Sequence, residues 1–468
     1  MIQTPVEKCD IVVLGSGTAG YSAALSAARL GASVTVIESR ETGGTCLNRG
    51  CIPTKALIGS LEAFEKAKRA ASFGFSAGTP VPDWPAMQAR KKRIVGQLVG
   101  GVEKLLSGSG VRLVRGRATL DGPLTVLIRG SEGGETRLAA SRAVIVATGS
   151  EPARPAIFPF DGVHVITSDE ALELEAVPES LLVVGAGAVG VEFSRVFASL
   201  GSRVVMVEMA DRILPGMDGR AGQTLAAAMG RRGVRIHAGA AVRSVAVRNG
   251  RCVTELADGR AEETEQVLVC TGRTPNTAGL GLEAAGATLE RGYLRADETG
   301  RTSAAGLYAA GDVAGKWLLA YTAAREGIRA AEHAMGRPLP PDVGPVPVTV
   351  FSDPEVASVG LTAEEAGDRG IGTKTGRFLM AALGKAAAVG ETEGFVALVA
   401  DAATERILGG QAVGPHASEL IAEIALAVRL GLTAGDVAGT LHSHPTLAEA
   451  VCEAAHDVRG ECLHKLRR

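Results

Sequence analysis

The 468-residue sequence predicts an α/β protein built from two copies of one doubly wound unit, followed by a C-terminal α+β part. The two copies occupy residues 11–38 and 181–208, which share the same order of apolar runs, glycines and a terminal acid. From about residue 345 the pattern changes to short strand-like runs and an amphipathic helix. A chain of this length is enough for about three domains of roughly 150 residues each.

Each copy begins with an apolar run, the pattern of a strand that is buried on both faces. Glycines then follow in the spacing Gly-x-Gly-x-x-Gly, at Gly15, Gly17 and Gly20 in the first copy and at Gly185, Gly187 and Gly190 in the second. A helical stretch of small residues comes next and ends in Leu-Gly, where glycine suits the end of a helix. A second apolar strand then ends in an acid, Glu38 or Glu208.

This combination predicts two Rossmann-like domains that each bind a dinucleotide. The first glycine permits a tight turn, the second lets backbone N–H groups approach a pyrophosphate, and the third lets helix and strand pack closely. The start of the helix directs partial positive charge at the phosphates, and the terminal acid accepts hydrogen bonds from ribose hydroxyls. Glycine-rich turns without a ligand are the alternative, but all parts of the pattern agree in both copies.

The acid of the second copy indicates which nicotinamide dinucleotide is used. A carboxylate at Glu208 suits a free 2′-hydroxyl and repels a 2′-phosphate, which favours NAD over NADP. Arg212, four residues later, would weaken this preference if it faced the ribose, and we favour a surface position for it.

Composition and charge argue against several classes of protein. Lys plus Arg number 49 and Asp plus Glu number 51, so a nucleic-acid-binding protein or a protein held at a membrane surface is not expected. No apolar run is long enough to span a bilayer, and residues 1–10 lack the pattern of a signal peptide. Five of the seven cysteines are scattered without ligand-like spacing, so we expect a cytoplasmic protein with mostly free thiols and no metal site.

Three further apolar segments extend the two units, at residues 143–150, 267–276 and 307–313. The glycines and polar residues that end these segments include Thr148, Gly149, Gly272, Gly311 and Asp312. A carboxylate that follows a strand and a glycine, as Asp312 does, can hydrogen-bond a sugar-like hydroxyl. A solvated aspartate in a turn is an equally good interpretation of the same pattern.

Two proline-rich stretches predict where the domains meet. Residues 151–160 contain three prolines and residues 338–347 contain five. After the second copy, the chain returns near residue 271 to complete the first domain. The predicted domains are a first dinucleotide-binding domain of residues 1–150 and 271–342, a second of residues 151–270, and a C-terminal domain of residues 343–468.

The C-terminal part carries the signals of a mixed α+β domain. The segments FVALVAD and RILGGQAVG predict a hairpin, because β-branched or alternating apolar residues flank a polar turn. The segment SELIAEIALAVRL has apolar residues at helical spacing and predicts an amphipathic helix.

Residues 43–55 read GGTCLNRGCIPTK and hold two cysteines, Cys46 and Cys51, separated by four residues. Two thiols this close along the chain can form a disulfide, and beside an electron carrier such a disulfide is a reagent rather than a structural bond. Taken alone, the pair is also compatible with half of a metal site.

A histidine and a glutamate near the C-terminus form a second candidate for chemistry. His444 precedes a proline-marked turn, and Glu449 follows it five positions later at the start of a helical pattern. A carboxylate that hydrogen-bonds an imidazole orients the ring and makes it a better general base near neutral pH. A structural histidine in a loop that enters a helix is the more ordinary interpretation of this segment by itself.

Taken together, these motifs resemble the pyridine nucleotide–disulfide oxidoreductases over essentially the whole chain. The resemblance is carried by both glycine motifs and by GGTCLNRGCIPTK, ATGS, GRTPN, AAGDV, FSDPEVASVGLT and HPTLAEA. It implies an FAD-binding domain, an NAD-binding domain and a C-terminal domain through which a homodimer forms.

The resemblance implies cofactor contacts for the matched residues. It implies that FAD is bound by Gly15, Gly17, Gly20, Glu38, Gly44, Thr45, Lys55, Thr148, Gly149, Gly311, Asp312 and Ala320. It implies that NAD is bound by Gly185, Gly187, Gly190, Glu208 and Gly272.

The resemblance also implies catalytic roles. Cys46 and Cys51 would form the redox-active disulfide, with Cys51 against the flavin and Cys46 exchanging with the substrate. His444 and Glu449 would be the catalytic dyad, contributed by the partner subunit, so that activity requires the homodimer.

A lysine and a glutamate would complete this catalytic set. Lys55 would lie by the reactive flavin nitrogen and pair with Glu192. Two unrelated charges on helix surfaces are the alternative for this last pair.

The activity implied is the oxidation of dihydrolipoamide to lipoamide with NAD⁺, on lipoyl groups of a 2-oxoacid dehydrogenase or glycine-cleavage complex. An NAD(P)H-dependent reductase of another small disulfide is the first alternative, and a non-catalytic docking subunit of such a complex is the second. One departure concerns Leu319-Ala320-Tyr321, where many relatives have Leu-Ala-His. It leaves the contacts at the flavin edge open.

Overall fold

The apolar runs predicted as buried strands form parallel strands in the computed structural model, which describes residues 6–130, 134–342 and 344–466. These residues divide into two compact units. The first unit runs to Ala153 and resumes over Gly272–Asp342, and the second holds Arg154–Thr271 and the described residues from 344 onward. The further division of the second unit into an NAD-binding and a C-terminal domain stays a prediction.

The helices and strands have the following bounds. The helices of the described residues are α1 (Thr18–Arg29), α2 (Gly44–Asn48), α3 (Cys51–Lys68), α4 (Trp84–Gly108), α5 (Ser168–Ala171), α6 (Ala188–Ser199), α7 (Gly219–Arg231), α8 (Ala320–Ala334), α9 (Ala363–Asp368), α10 (Gly384–Val389), α11 (Ala417–Leu430), α12 (Ala434–Gly439) and α13 (Glu449–Val458). The strands are β1 (Val6–Leu14), β2 (Val34–Glu38), β3 (Arg112–Arg115), β4 (Arg117–Leu120), β5 (Thr125–Arg129), β6 (Glu135–Val146), β7 (Ser150–Pro152), β8 (Val165–Ile166), β9 (Ser180–Val184), β10 (Arg203–Val207), β11 (Arg235–His237), β12 (Val242–Arg248), β13 (Arg251–Leu256), β14 (Ala261–Thr264), β15 (Gln266–Val269), β16 (Arg273–Pro275), β17 (Leu289–Glu290), β18 (Tyr293–Leu294), β19 (Leu307–Ala309), β20 (Val348–Val350), β21 (Glu355–Gly360), β22 (Thr373–Leu379), β23 (Phe395–Asp401) and β24 (Ile407–Gly414).

The first unit is built on a sheet whose parallel part runs in the order β3-β2-β1-β6-β19. The antiparallel strands β5 and β4 continue it from the long β6. Side chains of β1 alternate between the two faces: Ile11 and Val13 pack with α1, whereas Val12 and Leu14 pack with β4 and β5. Burial on both faces explains the unbroken apolar run, and the parallel order confirms the predicted Rossmann-like unit.

Small residues let α1 pack closely on the sheet and on α8. Ala23, Ala24 and Ala27 of α1 are fully buried. A Cβ added at Gly327 of α8 would lie 2.1 Å from the carbonyl oxygen of Ala19, so only glycine permits this approach of the two helices. After α1, Gly31 adopts a φ of +86°, as predicted for the end of this helix.

The second unit contains a parallel sheet in the order β11-β10-β9-β15-β8, followed by the antiparallel β12-β13-β14. Its C-terminal half is an antiparallel sheet in the order β20-β21-β24-β23-β22, which packs with α11 and α13. The predicted hairpin is β23 and β24, and the predicted amphipathic helix is α11, so both predictions are confirmed. No helix in the described ranges is long and apolar enough to cross a bilayer.

Candidate active site

The first glycine motif joins β1 to α1 in a loop that larger residues would block. Gly15 has a φ of +96°, and a Cβ there would lie 2.5 Å from the carbonyl oxygen of Ala147. A Cβ at Gly20 would lie 1.9 Å from the carbonyl oxygen of Gly15. Gly17 precedes the first turn of α1, whose N–H groups have no partner within the helix. The loop therefore offers backbone donors to an anion at close range.

Glu38 ends β2 and contacts this loop. Its Oε2 accepts hydrogen bonds from the backbone N and the Oγ of Ser16, both at 2.7 Å, and its Oε1 accepts from the backbone N of Arg40 at 2.8 Å. These bonds fix the carboxylate, and its oxygens keep acceptor capacity for further donors such as hydroxyls. The position at the carboxyl end of β2 fits the predicted contact with a ribose.

Several more residues predicted to contact FAD follow the ends of β6 and β19. Because β1, β2, β6 and β19 are parallel, their carboxyl ends meet at the same edge of the sheet. Thr148 donates its hydroxyl hydrogen bond to the carbonyl oxygen of Asn276 at 2.7 Å, and Gly149 has a φ of +70°. Gly311 and Asp312 follow β19, and Ala320 begins α8. One sheet edge thus collects these residues.

Sequence reasoning missed the side chains that hold Asp312 and Gly311. Asp312 accepts a hydrogen bond from Ser150 and lies 3.7 Å from Arg273, whose Nε donates to the Ser150 hydroxyl at 2.6 Å. The backbone N of Gly311 donates to Glu326 at 2.8 Å, and burial raises the pKa of that carboxyl. Ser150 is the last residue of the ATGS motif and Arg273 the second residue of GRTPN, and membership of these motifs was the only sequence signal for them.

The cysteine segment lies against the first glycine loop. A Cβ added at Gly44 would lie 2.7 Å from the Cα of Gly17, so the two glycines let α2 and the loop approach. Thr45 and Cys46 follow Gly44 in α2, and Cys51 is the first residue of α3. Both cysteines are thiols, and they hydrogen-bond each other.

Two effects distinguish the two thiols. The hydrogen bond with Cys51 and burial raise the pKa of the Cys46 thiol, outweighing a hydrogen bond with Thr18 and the charge of Lys55. Cys51 begins the long helix α3, and the partial positive charge at a helix N-terminus stabilises a thiolate. When the pair carries one negative charge, that charge therefore belongs on Cys51, and Cys46 keeps its proton.

Two tyrosines interact electrostatically with the pair. Burial raises the pKa of Tyr21, and a negative charge on Cys46, if that thiol ionised, would raise it further. Burial and the charge of Cys51 raise the pKa of Tyr321 to about 12. Both phenols consequently remain hydrogen-bond donors at neutral pH. Tyr321 is the position at which many relatives have histidine, so the sequence departure affects the surroundings of Cys51.

The second glycine motif repeats the geometry of the first in the other unit. Gly185 has a φ of +99°, and a Cβ there would lie 2.7 Å from the carbonyl oxygen of Cys270. A Cβ at Gly190 would lie 1.9 Å from the carbonyl oxygen of Gly185, and Gly187 precedes α6. Close contacts in both loops thus account for the first and third glycines of the motif.

Glu208 follows β10 and is held like Glu38. Its Oε2 accepts from the backbone N of Ala186 at 2.7 Å, and its Oε1 accepts from the backbone N of Ala210 at 2.8 Å. Gly272, also predicted to contact NAD, belongs to the first unit, where its carbonyl oxygen accepts from the backbone N of Ala153 at 3.0 Å. The structure therefore places Glu208 beside the second glycine loop, and the predicted contact of Gly272 with NAD stays a prediction.

Lys55 and Glu192 belong to different units. Lys55 lies one turn after Cys51 in α3, and Glu192 is a buried residue of α6. The Oε1 of Glu192 accepts a hydrogen bond from the backbone N of Phe351 at 3.1 Å. The predicted pairing of Lys55 with Glu192 stays a prediction.

His444 and Glu449 form the predicted dyad within the second unit. The Nδ1 of His444 lies 2.8 Å from Oε1 of Glu449, and the histidine side chain is 77% exposed. Oε2 of Glu449 accepts from the backbone N of Thr446 at 2.8 Å. Because the carboxylate faces Nδ1, that nitrogen carries the hydrogen, and Nε2 is left as the basic atom.

A second histidine–glutamate pair, which sequence reasoning did not identify, holds the loop that carries His444. The ring of His442 is only 8% exposed, and both of its nitrogens face oxygen acceptors. Nδ1 lies 2.9 Å from the carbonyl oxygen of Thr440, and Nε2 lies 2.8 Å from Oε1 of Glu423. His442 thus ties the loop to α11, and His444 projects from it.

The dyad leads to a prediction about titration. Burial raises the pKa of the Glu449 carboxyl, but hydrogen bonds from Thr446 and His444 outweigh burial and hold the pKa below its usual value of 4.5. Because the pKa of Glu449 is lower in the folded protein than in the unfolded chain, the dyad stabilises the fold at pH values above the unfolded-state pKa. This stabilisation is lost as the pH falls through the folded-state pKa. We expect a carbon NMR titration of Glu449 to show a midpoint below 4.5.

The same titration separates the sources of this shift. In His444→Gln the Glu449 midpoint should rise, because the charge of the imidazole, which favours the ionised carboxylate, is lost. An unchanged midpoint in that variant, or a wild-type midpoint at or above the usual value, would contradict the dyad geometry.

The described residues were compared with the requirements of a metal site. No group of three or more histidine, cysteine, aspartate or glutamate side chains there is arranged to hold a metal ion. The interpretation of Cys46 and Cys51 as half of a metal site thus finds no further ligands among these residues.

Comparison with known proteins agrees with these motifs. A family model described as pyridine nucleotide-disulphide oxidoreductase matches residues 9–327, and the dimerisation domain of that family matches residues 346–455. The dihydrolipoyl dehydrogenase of Chlorobaculum tepidum is 43% identical over 454 residues, which cover 96% of each chain. The dihydrolipoyl dehydrogenase of Thermus scotoductus is 41% identical over 466 residues, which cover 98% of this chain and 99% of that protein.

Two solved structures share the fold over nearly the whole chain. The crystal structure of LpdA from Mycobacterium tuberculosis has a TM-score of 0.89 at 34% identity, covering 96% of this chain and 99% of that chain. The HOCl-induced flavoprotein disulfide reductase RclA of Escherichia coli, as its Cu(II) complex, has a TM-score of 0.87 at 26% identity, with the same coverage.

Proposed function

Because the chain belongs to the pyridine nucleotide-disulphide oxidoreductases, we propose that it oxidises dihydrolipoamide to lipoamide with FAD as cofactor and NAD⁺ as acceptor. The observation that carries this proposal is the pair Cys46 and Cys51, which lies against the first glycine loop with Cys51 at the start of α3. Full-length similarity to dihydrolipoyl dehydrogenases supports this choice of substrate.

The first unit fits a bound FAD. Close backbone contacts at Gly15 and Gly20 hold the first glycine loop at the start of α1, whose free N–H groups suit a pyrophosphate, and the fixed carboxylate of Glu38 ends the adjacent strand. When bound, FAD supplies the two-electron link between the cysteine pair and NAD⁺. The predicted contacts from Gly44, Thr45, Lys55, Thr148, Gly149, Gly311, Asp312 and Ala320 remain part of the proposal.

The cysteine pair would exchange electrons with the substrate through two thiol–disulfide steps. A thiolate of dihydrolipoamide attacks Cys46, so that a mixed disulfide forms, the Cys46–Cys51 bond breaks and Cys51 leaves as a thiolate. The second lipoyl sulfur then attacks the lipoyl sulfur of the mixed disulfide. Lipoamide is released, and Cys46 takes up a proton. The raised pKa of the Cys46 thiol and the helix position of Cys51 support this division of roles.

The dyad of His444 and Glu449 would accept and donate the protons that these steps transfer. Nε2 of His444 accepts the proton of the attacking lipoyl thiol and later returns one to the sulfur of Cys46. Glu449 holds Nδ1 and stabilises the charged ring. We propose that the dyad reaches the cysteines from the partner subunit, which the dimerisation domain supports.

The natural substrate would be the lipoyl group of a 2-oxoacid dehydrogenase or glycine-cleavage complex, in the cytoplasm. Steady-state assays with dihydrolipoamide, free dihydrolipoate, and glutathione disulfide with NADH test the substrate. We expect rapid turnover of dihydrolipoamide and dihydrolipoate and little reduction of glutathione disulfide. Negligible lipoamide turnover with rapid reduction of another disulfide would favour the reductase alternative, and no turnover at all would favour a docking subunit.

Glu208 leads to a prediction about the nicotinamide. We expect NAD⁺ to be preferred over NADP⁺ by about 100-fold in kcat/KM, because the half-buried carboxylate of Glu208 repels a 2′-phosphate. Glu208→Ser should reduce the preference to about tenfold by removing that repulsion. As a control, Glu179→Ser changes an exposed glutamate of the same unit that pairs with Arg251, and it should leave the preference unchanged. Equal preference in wild type and Glu208→Ser would contradict this role.

A further inference from the structure

A side chain of α8 binds the turn that follows β19. The backbone N of Ala310 still donates to the carbonyl oxygen of Val146 in β6 at 3.0 Å, so the sheet pattern extends to this residue. The next backbone N, that of the buried Gly311, donates instead to Oε2 of Glu326 at 2.8 Å. A carboxyl group of a helix thus accepts the next backbone hydrogen bond at the sheet edge.

Gly311 lies where α1 and α8 approach each other. It adopts a φ of +79°, and a Cβ there would lie 3.1 Å from Cβ of Ala19 and 3.4 Å from Cβ of Ala323. Ala323 and Glu326 lie about one turn apart in α8. Because glycine can adopt many backbone conformations, the hydrogen bond to Glu326 favours the one that this turn takes. The bond therefore helps to fix the direction in which the chain leaves Gly311.

The chain leads from Gly311 directly to Asp312, whose carboxylate is held through one of its two oxygens. Oδ2 accepts from the hydroxyl of Ser150, and Nε of Arg273 lies 3.7 Å from the same oxygen. Oδ1 accepts a hydrogen bond from none of the residues that the structure describes. Since a carboxylate oxygen is a strong acceptor, Oδ1 can accept from a hydroxyl of a ligand.

We propose that Glu326 is a positioning residue for the cofactor: by holding the Gly311 N–H, it places Oδ1 of Asp312 where it meets a hydroxyl of FAD. This inference rests on the proposed function, in which Asp312 contacts FAD. It extends the FAD site to a residue of α8 that belongs to none of the sequence motifs. Glu326 acts through the backbone of the turn and is assigned no contact with FAD itself.

This role requires a hydrogen-bond acceptor at the right reach rather than a negative charge. Burial raises the pKa of the Glu326 carboxyl, which disfavours its charged form. A protonated carboxyl group keeps a carbonyl oxygen that can still accept from the Gly311 N–H. Glutamine places an amide oxygen at the same distance along the side chain, whereas aspartate keeps the carboxyl group but is shorter by one methylene group. Glu326→Gln and Glu326→Asp therefore separate reach from charge.

Glu332 provides a matched control on the same helix. Like Glu326, it is a half-buried glutamate of α8. Its Oε1, however, lies 3.7 Å from Arg29 and 3.6 Å from Arg337, so its partners are two arginines and not the turn. Glu332→Asp thus makes the same chemical change in α8 and leaves the hydrogen bond of Gly311 in place.

The test measures the dissociation constant of FAD from the full-length apoenzyme, through the change in flavin fluorescence on binding. Wild type, Glu326→Asp, Glu326→Gln and Glu332→Asp are compared, and each is also made together with Asp312→Ala. The midpoint temperature of unfolding is recorded for each apoenzyme, so that a general loss of stability is distinguished from a local change at the FAD site.

We expect Glu326→Asp to weaken FAD binding about tenfold or more, because the buried Gly311 N–H loses its acceptor. Glu326→Gln should bind FAD within about threefold of wild type, since the acceptor remains, and Glu332→Asp should bind it as wild type does. Beside Asp312→Ala, Glu326→Asp should weaken binding no more than about twofold further, because both changes act through one carboxylate. A residue that only stabilises the fold would cause the same loss in both backgrounds.

Four results would overturn the inference. These are wild-type affinity of Glu326→Asp, an equal loss in Glu332→Asp, an equal loss in Glu326→Gln, or a loss that persists in full beside Asp312→Ala. If Glu326→Asp does not fold, Glu326→Met takes its place under the same criteria, because methionine keeps the length of the side chain without an oxygen acceptor.

The same assay separates this inference from the proposed function. It contains no dihydrolipoamide, so its outcome does not depend on the substrate. A wild-type apoenzyme that does not bind FAD would overturn the proposed cofactor together with the role of Glu326. Wild-type binding of FAD with unaffected Glu326 variants would overturn the role of Glu326 alone.

Discussion

We expect Cys46→Ser to abolish the turnover of dihydrolipoamide and to leave FAD bound. Without the Cys46 thiol no mixed disulfide with the substrate can form, and serine is not a substitute in disulfide exchange. Cys51 remains at the start of α3, where the helix stabilises its thiolate. The oxidised variant should therefore show the thiolate–flavin absorption band without any added reductant. Steady-state assays and the absorption spectrum of the purified variant measure both effects.

Cys9→Ser is the control for Cys46→Ser, because it makes the same chemical change at a cysteine outside the proposed redox pair. Cys9 is a cysteine of β1 whose thiol donates to the carbonyl oxygen of Ile11 at 3.3 Å, a bond that serine can replace. Cys9→Ser should retain activity and lack the band. Loss of FAD from Cys46→Ser, or a band that appears only after Cys51→Ser, would contradict the division of roles between the two cysteines.

We expect His444→Gln to lower kcat for dihydrolipoamide by about 10²–10⁴-fold, the usual contribution of a general base. Glutamine can hydrogen-bond Glu449 but cannot accept the thiol proton. We expect the dimer and its FAD content to be unchanged, since the side chain of His444 is largely exposed. The rate in the variant should recover as the pH rises, because the substrate thiol then ionises without a base.

A second exposed histidine of the same unit provides the control. His464 places its Nδ1 2.6 Å from Oε1 of Glu453, and its side chain is 71% exposed, close to the 77% of His444. His464→Gln therefore disrupts a similar histidine–glutamate pair that has no role in the proposed reaction. This variant should keep near-normal turnover of dihydrolipoamide. Equal losses in both variants, or near-normal activity of His444→Gln, would argue against a base at His444.

The sequence predicted those parts of the fold that depend on local pattern. The β1–α1–β2 unit follows from an apolar run, glycines at steric contacts and a terminal acid, all within residues 11–38. The hairpin β23–β24 and the helix α11 follow in the same way from alternation and helical spacing. The predicted segment at residues 143–150 was shorter at its start than strand β6, which begins at Glu135. The first half of the strand mixes polar and apolar residues and so gave no apolar run.

The site was predictable where residues lie close together in sequence and was missed where tertiary contacts select the partner. His444 and Glu449 are five residues apart, and Cys46 and Cys51 share one segment. His442, by contrast, meets Glu423 only because the loop folds back onto α11. Glu326 meets Gly311 through a backbone N–H, which leaves no trace in the residue pattern.

In the proposed reaction, the cysteine pair passes electrons from dihydrolipoamide to bound FAD and then to NAD⁺. The most direct measurement adds dihydrolipoamide to the oxidised, FAD-loaded dimer without oxygen and follows the absorption spectrum, with NAD⁺ added second. We predict that the thiolate–flavin band appears on the first addition, and that NAD⁺ then removes it as NADH forms. A spectrum that dihydrolipoamide leaves unchanged, while NADH still reduces the flavin, would contradict the account.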